Sequence, residues 1–397
     1  MDNATLISDA ELNVAPTYGR YPIALVRGEG CRVWDADGKE YLDFVSGLAV
    51  CNLGHCHPGV VAAIREQAGK LIHVSNLYHI EPQIELAKRL NRLSFGDKAF
   101  FCNSGTEAVE AALKLARKYS FKKYGEGRHE ILSFDMSFHG RTMASLTATG
   151  QTKFHGAFKP LLPGFRYLPF GDVESVAAAV SEQTCAIMVE PIQGEGGVNV
   201  PPDGYLKGLR EICDANDLLL LFDEVQVGLG RTGKLWAYEH EGVAPDAMSL
   251  AKALAGGTAI GALVASDKAM AFEPGDHAAT FGGNPLATAA GCAAMDAITA
   301  PGFLEHVQEM GAYATAGLEE LATRHAIIKD IRGKGLIIGC EVDVDATSIV
   351  TKGLEAGFLL NVAVQKVIRL IPPLVVEKEM IDKLMNFLDE ALSDLVK

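Results

Sequence analysis

The sequence has no apolar stretch that approaches the length of a membrane-spanning helix, which needs about 18 uninterrupted residues. Residues 1–14 lack the basic start and the apolar core of a signal peptide and instead carry Asp2, Asp9 and Glu11. Neither a membrane anchor nor an export signal is therefore indicated. We expect a protein of the cytoplasm.

Basic residues are fewer than acidic residues. The chain has 36 Lys and Arg residues against 50 Asp and Glu residues, which gives a formal net charge of −14 at pH 7. Nucleic-acid-binding proteins need clustered basic surface, and acidic membrane surfaces also attract basic residues. We therefore expect small-molecule partners, and neither a nucleic acid nor a membrane.

Cysteine is sparse and dispersed. The 397 residues contain eight, mostly within apolar runs, and a chain of this length does not need disulfide bonds to fold. The closest grouping of soft ligands is Cys51 with His55, Cys56 and His57, which lacks the paired spacing of a structural zinc site. We expect reduced thiols, a packed turn at this segment and no bound metal.

The composition is otherwise that of an ordinary globular protein, with 48% hydrophobic and 22% charged residues. Short apolar runs between Gly and Asp turns predict β-hairpins over residues 18–45. From Pro58 onward, helical spacing alternates with short apolar segments that predict strands. The predicted strands are Lys98–Cys102, Glu130–Phe134, Ala186–Glu190, Leu218–Asp223, Ala247–Leu250, Ala262–Ser266, Ile331–Val342 and Val367–Ile371. The predicted helices include Thr106–Tyr124, Gly204–Asn216 and Ala287–Ile298.

Strands that alternate with helices favour βαβ units, in which helices cover both faces of a mostly parallel sheet. The chain is also longer than the roughly 250–300 residues at which one core stops growing. The sequence therefore predicts the α/β class, with a large domain over residues 61–285. Residues 1–60 and 286–397 are expected to form a smaller α+β domain from the two ends of the chain.

Two acidic residues and an amide stand at the end of one predicted strand. The apolar run Leu218–Phe222 leads into Asp223-Glu224-Val225-Gln226, at the edge where open α/β sheets bind ligands. A strand-end aspartate more often caps a turn. A functional role for Asp223 therefore needs support from other residues of the site.

Lys252 follows the predicted strand Ala247–Leu250 and precedes Gly256-Gly257. A cofactor aldehyde that is held as a Schiff base needs one lysine, and its pyridine nitrogen needs an anion so that the ring withdraws electrons. Lys252 and Asp223 fit these two roles. A lysine without such a partner is usually a solvated surface charge.

A turn suited to an anion precedes the predicted helix Thr106–Tyr124. The segment Asn103-Ser104-Gly105-Thr106 offers hydroxyl and backbone N–H groups at a helix N-terminus, where the helix dipole also favours negative charge. The same residues fit an ordinary capping box. The turn is either a phosphate site or only a helix start.

The segment Gly228–Gly233 matches the glycine pattern of dinucleotide-binding proteins, which would make the chain a nicotinamide-dependent oxidoreductase. The glycine segment does not directly follow the predicted strand Leu218–Asp223. The residues after it do not clearly begin a helix that packs closely through a glycine. The oxidoreductase and an amino-acid-binding protein without catalytic activity are the alternatives of another class.

Six segments in this order resemble the class III (ornithine-type) aminotransferases, which depend on pyridoxal 5'-phosphate (PLP). They are Asn103–Ala108, Ser137–Thr142, Glu190–Glu195, Asp223–Gln226 with Gly230–Gly233, Ala251-Lys252 and Thr280–Pro285. The resemblance covers nearly the whole chain. It implies a PLP-dependent transferase of fold type I.

The resemblance also implies which residues hold the cofactor. These are Gly105, Thr106, Phe138, Asp223, Glu224, Val225, Gln226, Lys252 and Thr280. Gly105 and Thr106 would bind the phosphate, and Phe138 would stack on the pyridine ring. Asp223 would pair with the ring nitrogen, and Lys252 would be the Schiff-base lysine and proton carrier.

The implied substrate-binding residues are Tyr18, Arg141, Glu195, Ala279 and Arg369. Arg141 resembles the arginine that holds a substrate carboxylate, a role for which a planar guanidinium is suited. Glu195 and Arg369 resemble a pair that opens to free the arginine for 2-oxoglutarate. Ala279 and Thr280 would come from the neighbouring subunit, which implies a homodimer with shared sites.

Three further segments, Pro16–Arg20, Gly54–Pro58 and His73–Tyr78, resemble the members that transfer the terminal amino group of N2-acetylornithine to 2-oxoglutarate, giving glutamate. Ornithine, succinylornithine, succinyldiaminopimelate and 4-aminobutyrate are the alternative donors. The chain departs from the family after the lysine, where Thr258-Ala259 replaces Phe-Pro. That loop therefore lacks the family's stiffening proline.

Overall fold

The computed structural model describes residues 1–395, and the chain begins with a small antiparallel unit. Helix α1 (Asn3–Asn13) precedes strands β1 (Leu25–Glu29), β2 (Arg32–Asp35) and β3 (Glu40–Asp43). Gly30 and Gly38 lie in the two connecting turns with positive φ, a conformation that glycine adopts without steric cost. The hairpins expected over residues 18–45 are therefore present.

A single left-handed turn, α2 (Ser46–Ala49), leads from this unit toward the central sheet. Its four residues have φ values between 47° and 64°, and three of them are not glycine. Residues with a side chain rarely adopt this conformation, so surrounding contacts must hold it. Ser46 Oγ donates to the carbonyl of Ile371 at 2.6 Å, and Asp43 Oδ1 accepts the N–H of Ser46 at 2.8 Å.

Helices and strands then alternate through the middle of the chain. In chain order they are α3 (Pro58–Ala68), α4 (Glu81–Arg92), β4 (Lys98–Cys102), α5 (Gly105–Tyr124), β5 (Glu130–Phe134), α6 (Met143–Ala148), β6 (Phe165–Leu168), α7 (Val173–Ala179), β7 (Thr184–Val189), α8 (Tyr205–Asn216), β8 (Leu219–Asp223), β9 (Ala247–Leu250) and β10 (Gly261–Ala265). Strand β6 was not predicted. It is an edge strand in which only Leu168 is buried, so its apolar signal is weak.

These seven strands form one sheet in the order β4-β10-β9-β8-β7-β5-β6. Strand β10 is antiparallel to both of its neighbours, and the pairs from β9 to β6 are parallel. The predicted α/β class with a mostly parallel sheet is therefore confirmed. Because every strand except β10 runs in one direction, the carboxyl ends of the other six meet at one edge.

Strand β8 shows why the sheet is covered on both faces. All five of its residues are buried, and successive side chains of a strand point to opposite faces. Leu220 and Phe222 belong to a core that includes residues of α8, whereas Leu219 and Leu221 belong to another that includes residues of α5. A continuous apolar strand therefore supplies two cores at once.

Residues 285–395 add four helices and a second antiparallel sheet. In chain order the elements are α9 (Pro285–Ile298), α10 (Phe303–Arg324), β11 (Ile328–Lys334), β12 (Ile337–Val342), α11 (Ser348–Ala356), β13 (Phe358–Leu359), β14 (Asn361–Ala363), β15 (Val367–Leu370) and α12 (Lys378–Leu395). The sheet order is β11-β12-β15-β14. The predicted strand segment over residues 331–342 is thus a hairpin of β11 and β12.

The two ends of the chain share one core. Strand β13 pairs in parallel with β3, and Phe44 lies in the same buried cluster as Leu384 and Leu388. Helix α9 belongs instead to the core of the central sheet, through Ala290 and Met295. We propose that the small domain combines residues 1–60 with the chain beyond Ile298, and that α9 belongs to the large domain. Across residues 1–395, the structure contains no helix with the length and apolar character that crossing a membrane requires.

Candidate active site

A cavity of about 430 Å³ opens at the edge of the central sheet where the parallel strands end. Its walls come mainly from the segments that follow β4, β5, β7, β8 and β9, and open α/β sheets bind ligands at this edge. The site residues named from the sequence that line it are Gly105, Thr106, Phe138, Arg141, Glu195, Asp223, Val225, Gln226 and Lys252. The fold therefore brings together residues from five separate segments.

The turn before α5 presents two unpaired donors to this cavity. Ser104 Oγ accepts the N–H of Glu107 at 3.3 Å, and the Glu107 carboxylate accepts the N–H of Asn103 at 2.6 Å. This capping leaves the backbone N–H groups of Gly105 and Thr106 without an acceptor among the described residues. A Cβ at Gly105 would meet Val225 Cγ1 at 2.8 Å, so only glycine fits the wall here.

The hydroxyl of Thr106 is already engaged within the protein. Its Oγ1 accepts the backbone N–H groups of Arg141 at 3.1 Å and Thr142 at 3.2 Å, and it lies 2.6 Å from Ser145 Oγ. The backbone N–H of Thr106 is therefore the group left for an anion. The same contacts fix the backbone of Arg141 to the turn before α5.

Asp223 is held by a histidine from a different strand end. His139 Nδ1 lies 2.8 Å from Asp223 Oδ2, and Asp223 Oδ1 accepts the N–H of Val225 at 3.0 Å. Burial by itself would lower the pKa of His139, but the hydrogen bond to Asp223 and its charge outweigh this and raise the pKa. A histidine that donates to Asp223 fixes the orientation of the carboxylate.

Lys252 follows β9 and begins a short 3-10 helix with φ of 45°, a strained value for a residue with a side chain. Burial is the main cause that lowers the pKa of its amine, and Arg369 lowers it further, whereas Glu195 raises it. Lowering the pKa increases the fraction of neutral amine, which is the nucleophilic form. A lysine in these surroundings is suited to the role of a nucleophile.

Glu195 and Arg369 form the ion pair that the resemblance implies. Glu195 Oε1 lies 2.9 Å from Arg369 Nη1, and the arginine is 1% exposed. Arg369 Nε also donates to Asn361 Oδ1 at 2.9 Å. Burial alone would raise the pKa of Glu195, but the charges of Arg369 and Lys252 outweigh it and lower the pKa.

The guanidinium of Arg141 is exposed and rests on aromatic rings. It lies 4.1 Å from the ring centre of Phe154 and 5.5 Å from that of Phe138. Its side chain makes no hydrogen bond or ion pair with the described residues, and only its backbone N–H is bound. This is the arrangement of a cation that awaits a carboxylate.

Glu190 and His139 are cavity residues to which the sequence analysis gave no role. The Glu190 carboxylate accepts the N–H groups of Phe138 at 2.8 Å and Gly194 at 3.2 Å. Burial, with a smaller contribution from Asp223, raises the pKa of Glu190 to about 7. Both residues lie inside quoted motifs, but each has one partner more than 50 positions away, Phe138 for Glu190 and Asp223 for His139, which local patterns do not reveal.

The structure corrects the expectation for Glu224. Its side chain is fully buried away from the cavity, where it accepts the N–H groups of Ala237 at 2.8 Å and Tyr238 at 2.9 Å. Burial raises the pKa of Glu224 to about 8. Adjacent residues at the end of a strand point in opposite directions, so Asp223 and Glu224 cannot both face the site.

Three of the other expected residues lie outside the cavity of their own chain. Tyr18 is 73% exposed in the N-terminal segment and does not line the cavity in the single chain, so its contact with the pocket stays a prediction. Ala279 and Thr280 lie on a surface loop, where Asn76 Nδ2 donates to the Ala279 carbonyl at 3.2 Å and to the Gly282 carbonyl at 2.9 Å. Thr280 itself is exposed.

The two misleading motifs have structural explanations. The segment Gly228–Gly233 forms turns rather than a helix start, and its Arg231 is fully buried, donating to the carbonyls of Leu336 and Pro372. His55 Nε2 lies 2.7 Å from Asp43 Oδ2 in a turn, as expected for a packed segment. Neither motif contributes to the cavity.

The comparisons with known proteins point to one family. The family model described as Aminotransferase class-III matches residues 13–392. An acetylornithine aminotransferase from Caldanaerobacter subterraneus subsp. tengcongensis is 57% identical over 380 residues, which cover 96% of this chain and 97% of that protein. Another, from Methanocaldococcus jannaschii, is 51% identical over 381 residues and covers 96% of each chain.

Solved structures agree with this relationship. The ornithine aminotransferase from Toxoplasma gondii, crystallised with partial occupancy of PLP at its active site, matches with a TM-score of 0.95. It is 33% identical, and the match covers 99% of this chain and 95% of that chain.

Proposed function

The chain belongs to the class III aminotransferases, and we propose that it transfers the terminal amino group of N2-acetylornithine to 2-oxoglutarate. The products are N-acetylglutamate 5-semialdehyde and glutamate, in a cytoplasmic step of arginine biosynthesis. The observation that carries this proposal is that Lys252 and Asp223 share one cavity with the unpaired N–H groups of Gly105 and Thr106. An amine nucleophile, an anion for a ring nitrogen and an anion cradle are what a PLP site requires.

The residues of the cavity fit PLP. The N–H groups of Gly105 and Thr106 would bind its phosphate at the N-terminus of α5, where the helix dipole adds to the attraction. Phe138 would stack on the ring, and Asp223, held by His139, would face the ring nitrogen. Val225 and Gln226 complete the wall of the cavity. When bound, PLP supplies an aldehyde carbon that condenses with amines and a ring that withdraws electrons from the reacting carbon.

Lys252 is the residue proposed to move the proton. Because burial lowers the pKa of its amine, a larger fraction of Lys252 carries a free electron pair on Nζ than in a solvent-exposed lysine. Lys252 accepts the proton from the amine-bearing carbon of the donor. When the reaction runs in reverse, it returns a proton to that carbon.

Arg141 is proposed to bind the carboxylate of the donor. Its guanidinium is unpaired and lies at the cavity wall, and a planar fork of N–H groups matches a carboxylate in two parallel hydrogen bonds. The terminal amine of the donor is at the other end of the molecule. Binding at Arg141 therefore directs that amine toward Lys252.

Glu195 and Arg369 are proposed to let one cavity accept two differently charged substrates. While they are paired, the two charges cancel, which suits the neutral part of the donor. When Glu195 turns away, Arg369 stays in place because Asn361 holds its Nε. The freed guanidinium then binds the distal carboxylate of 2-oxoglutarate.

Charge supports an acetylated donor over ornithine itself. Ornithine carries a second ammonium group, and an ammonium in a buried site needs a carboxylate partner. The carboxylate of Glu195 is paired with Arg369, and that of Glu190 is occupied by two backbone N–H groups. Acetylation removes the second positive charge. The higher identity to relatives named acetylornithine aminotransferase favours the same donor.

Two copies of the chain are proposed to build each site, as the resemblance implies. Thr280 lies outside the cavity of its own chain and would reach the phosphate of the neighbouring subunit, with Ala279 beside the substrate. The surface around this loop is apolar: Leu77 is 84% exposed, Tyr78 is 68% exposed and Phe281 is 60% exposed. Exposed apolar groups in such a cluster favour burial against a second copy.

The proposal is tested by a panel of amine donors with 2-oxoglutarate as acceptor. The panel holds N2-acetylornithine, ornithine, succinylornithine, succinyldiaminopimelate and 4-aminobutyrate, compared by kcat/KM. N2-acetylornithine should give the highest value, and a clear preference for another donor would overturn the donor assignment. Lys252→Ala should abolish turnover with every donor, and retained turnover would overturn the assignment of the site.

A further inference from the structure

The cation proposed to bind the donor carboxylate is positioned by an aromatic ring outside the motifs. The guanidinium carbon of Arg141 lies 4.1 Å from the ring centre of Phe154, closer than the 5.5 Å that separates it from Phe138. No side-chain hydrogen bond or ion pair among the described residues holds this guanidinium. The ring of Phe154 is therefore its main support.

Phe154 itself is held firmly from both sides along the chain. It ends a short 3-10 helix, Thr152–Phe154, whose two exposed residues precede it. On one side the buried Gln151 donates to the carbonyl of Ser137 at 3.0 Å. On the other side the buried His155 lies with Nε2 at 2.8 Å from the carbonyl of Thr149. A half-buried ring between two buried anchors has little freedom to move.

The ring also connects Arg141 with the residue expected to stack on the cofactor. The centres of Phe154 and Phe138 lie 6.0 Å apart with their planes at 81°, an edge-to-face contact. Phe138 is in turn fixed through its N–H by Glu190 at 2.8 Å. The carboxylate-binding cation and the cofactor platform thus share one rigid aromatic support.

We propose that Phe154 is a positioning residue that sets the aim of Arg141 at the donor carboxylate and thereby contributes to substrate recognition. Stacking occupies one face of the guanidinium and leaves the N–H groups in its plane free, and those are the groups that bind a carboxylate. A long side chain that is held before binding loses less rotational freedom when the ligand arrives. Phe154 therefore acts on substrate binding and not on the proton transfer. This inference rests on the proposed function of the site.

The test compares Phe154→Leu with the wild-type holoenzyme. For N2-acetylornithine, KM should rise about three- to tenfold while kcat stays within about twofold, because the lost stacking weakens binding only. The dissociation constant of N-acetylnorvaline, which has the carboxylate but no terminal amine, should rise by the same factor in calorimetry. N-acetyl-1,4-diaminobutane, the same donor without its carboxylate, should show an unchanged kcat/KM.

Two control variants sharpen the comparison. Phe154→Tyr keeps the aromatic face and should behave as the wild type. Phe158→Leu makes the same substitution at a nearby phenylalanine that is 55% exposed and has no ring or cation contact, so KM should not change. Circular dichroism and thermal melting check that each variant is folded. If Phe154→Leu unfolds, Phe154→Met replaces it under the same criteria.

The inference is overturned if Phe154→Leu leaves KM and the N-acetylnorvaline affinity unchanged. It is equally overturned if kcat falls alone, or if the donor without a carboxylate loses as much kcat/KM as N2-acetylornithine. A wild-type enzyme that does not turn over N2-acetylornithine would instead overturn the proposed donor. In that case the same comparison applies to whichever carboxylate-bearing donor the enzyme accepts.

Discussion

His139 Nδ1 lies 2.8 Å from Asp223 Oδ2, and the histidine side chain is completely buried. Each carboxylate oxygen of Asp223 thereby accepts one hydrogen bond, since the N–H of Val225 binds the other oxygen, and each keeps a second lone pair for a ligand. Its position is fixed before any ligand arrives. The other ring nitrogen of His139, Nε2, has no hydrogen-bond partner among the described residues, so the imidazole ring is hydrogen-bonded there only to Asp223.

His139→Asn should lower kcat/KM for the preferred donor by about ten- to a hundredfold, because a hydrogen bond to a buried charged group contributes about 1.5–3 kcal/mol. The size of the loss should depend on pH, because the imidazole of His139 titrates, with a raised pKa, whereas an asparagine amide does not. Steady-state rates across pH measure this. An unchanged pH profile would show that His139 has only a packing role.

Gly105→Ala should weaken cofactor binding by at least about tenfold, since the added Cβ would lie 2.8 Å from Val225 Cγ1 and push the anion cradle apart. The measurement is the dissociation constant of PLP for the apoprotein. Gly156→Ala is the matched control, because a Cβ there has no heavy atom within 4 Å. Equal affinities for both variants would argue against a phosphate site at this turn.

Glu195→Gln should separate the two halves of the reaction. Without the carboxylate, Arg369 keeps its charge and remains bound to Asn361, so it is always available for 2-oxoglutarate. The rate with N2-acetylornithine alone should fall about tenfold, because the neutral pair that suits this donor is lost. Transfer to 2-oxoglutarate should be unchanged or faster. Single-turnover absorbance measures each half, and an equal loss in both would contradict a gating role.

His55 should make the stability of the protein depend on pH. The hydrogen bond to Asp43 is the main cause that raises the pKa of His55 to about 10, followed by Cys51. Because the unfolded value is about 6.5, the folded state binds this proton more tightly. The contribution to the free energy of unfolding is therefore complete below about pH 6.5 and is lost as the pH rises toward 10.

His55→Gln removes this dependence. Between pH 6.5 and 10 the wild type should lose about 1–2 kcal/mol more of its free energy of unfolding than the variant, after allowance for solvent screening of the partly exposed ring. Urea unfolding at several pH values measures the difference. Glu190 and Glu224 also have raised pKa values, so the comparison is between the two proteins and not within one. Parallel curves would refute the assignment.

Much of the fold follows from local patterns. Three predicted strands have the observed bounds, because each is a short and mostly apolar run: Lys98–Cys102, Glu130–Phe134 and Ala247–Leu250. The strand β6 was missed because only one of its four residues, Leu168, is buried, so its apolar pattern is weak. The left-handed turn Ser46–Ala49 has no local signal other than one glycine, because contacts with residues remote in the sequence hold it.

The candidate site likewise combines features that are local in the sequence with contacts between residues that are remote in it. Lys252 and Asp223 were identified because each stands at a strand end, and strand ends can be read from the sequence. The pairing of His139 with Asp223 spans 84 positions, and that of Glu195 with Arg369 spans 174 positions. The direction of Glu224, which faces away from the cavity, is also set by its place on the sheet.

The sequence alone determined the α/β class, the strand ends that carry the lysine and the aspartate, and the turn that offers free N–H groups. These are local properties of apolar periodicity and capping. Only the tertiary structure decided which partners position the charged side chains of the site. His139 contacts Asp223, Asn361 contacts Arg369, and Phe154 contacts Arg141. The physical reason is that the order of strands in a sheet fixes such contacts, and each short segment is compatible with many orders.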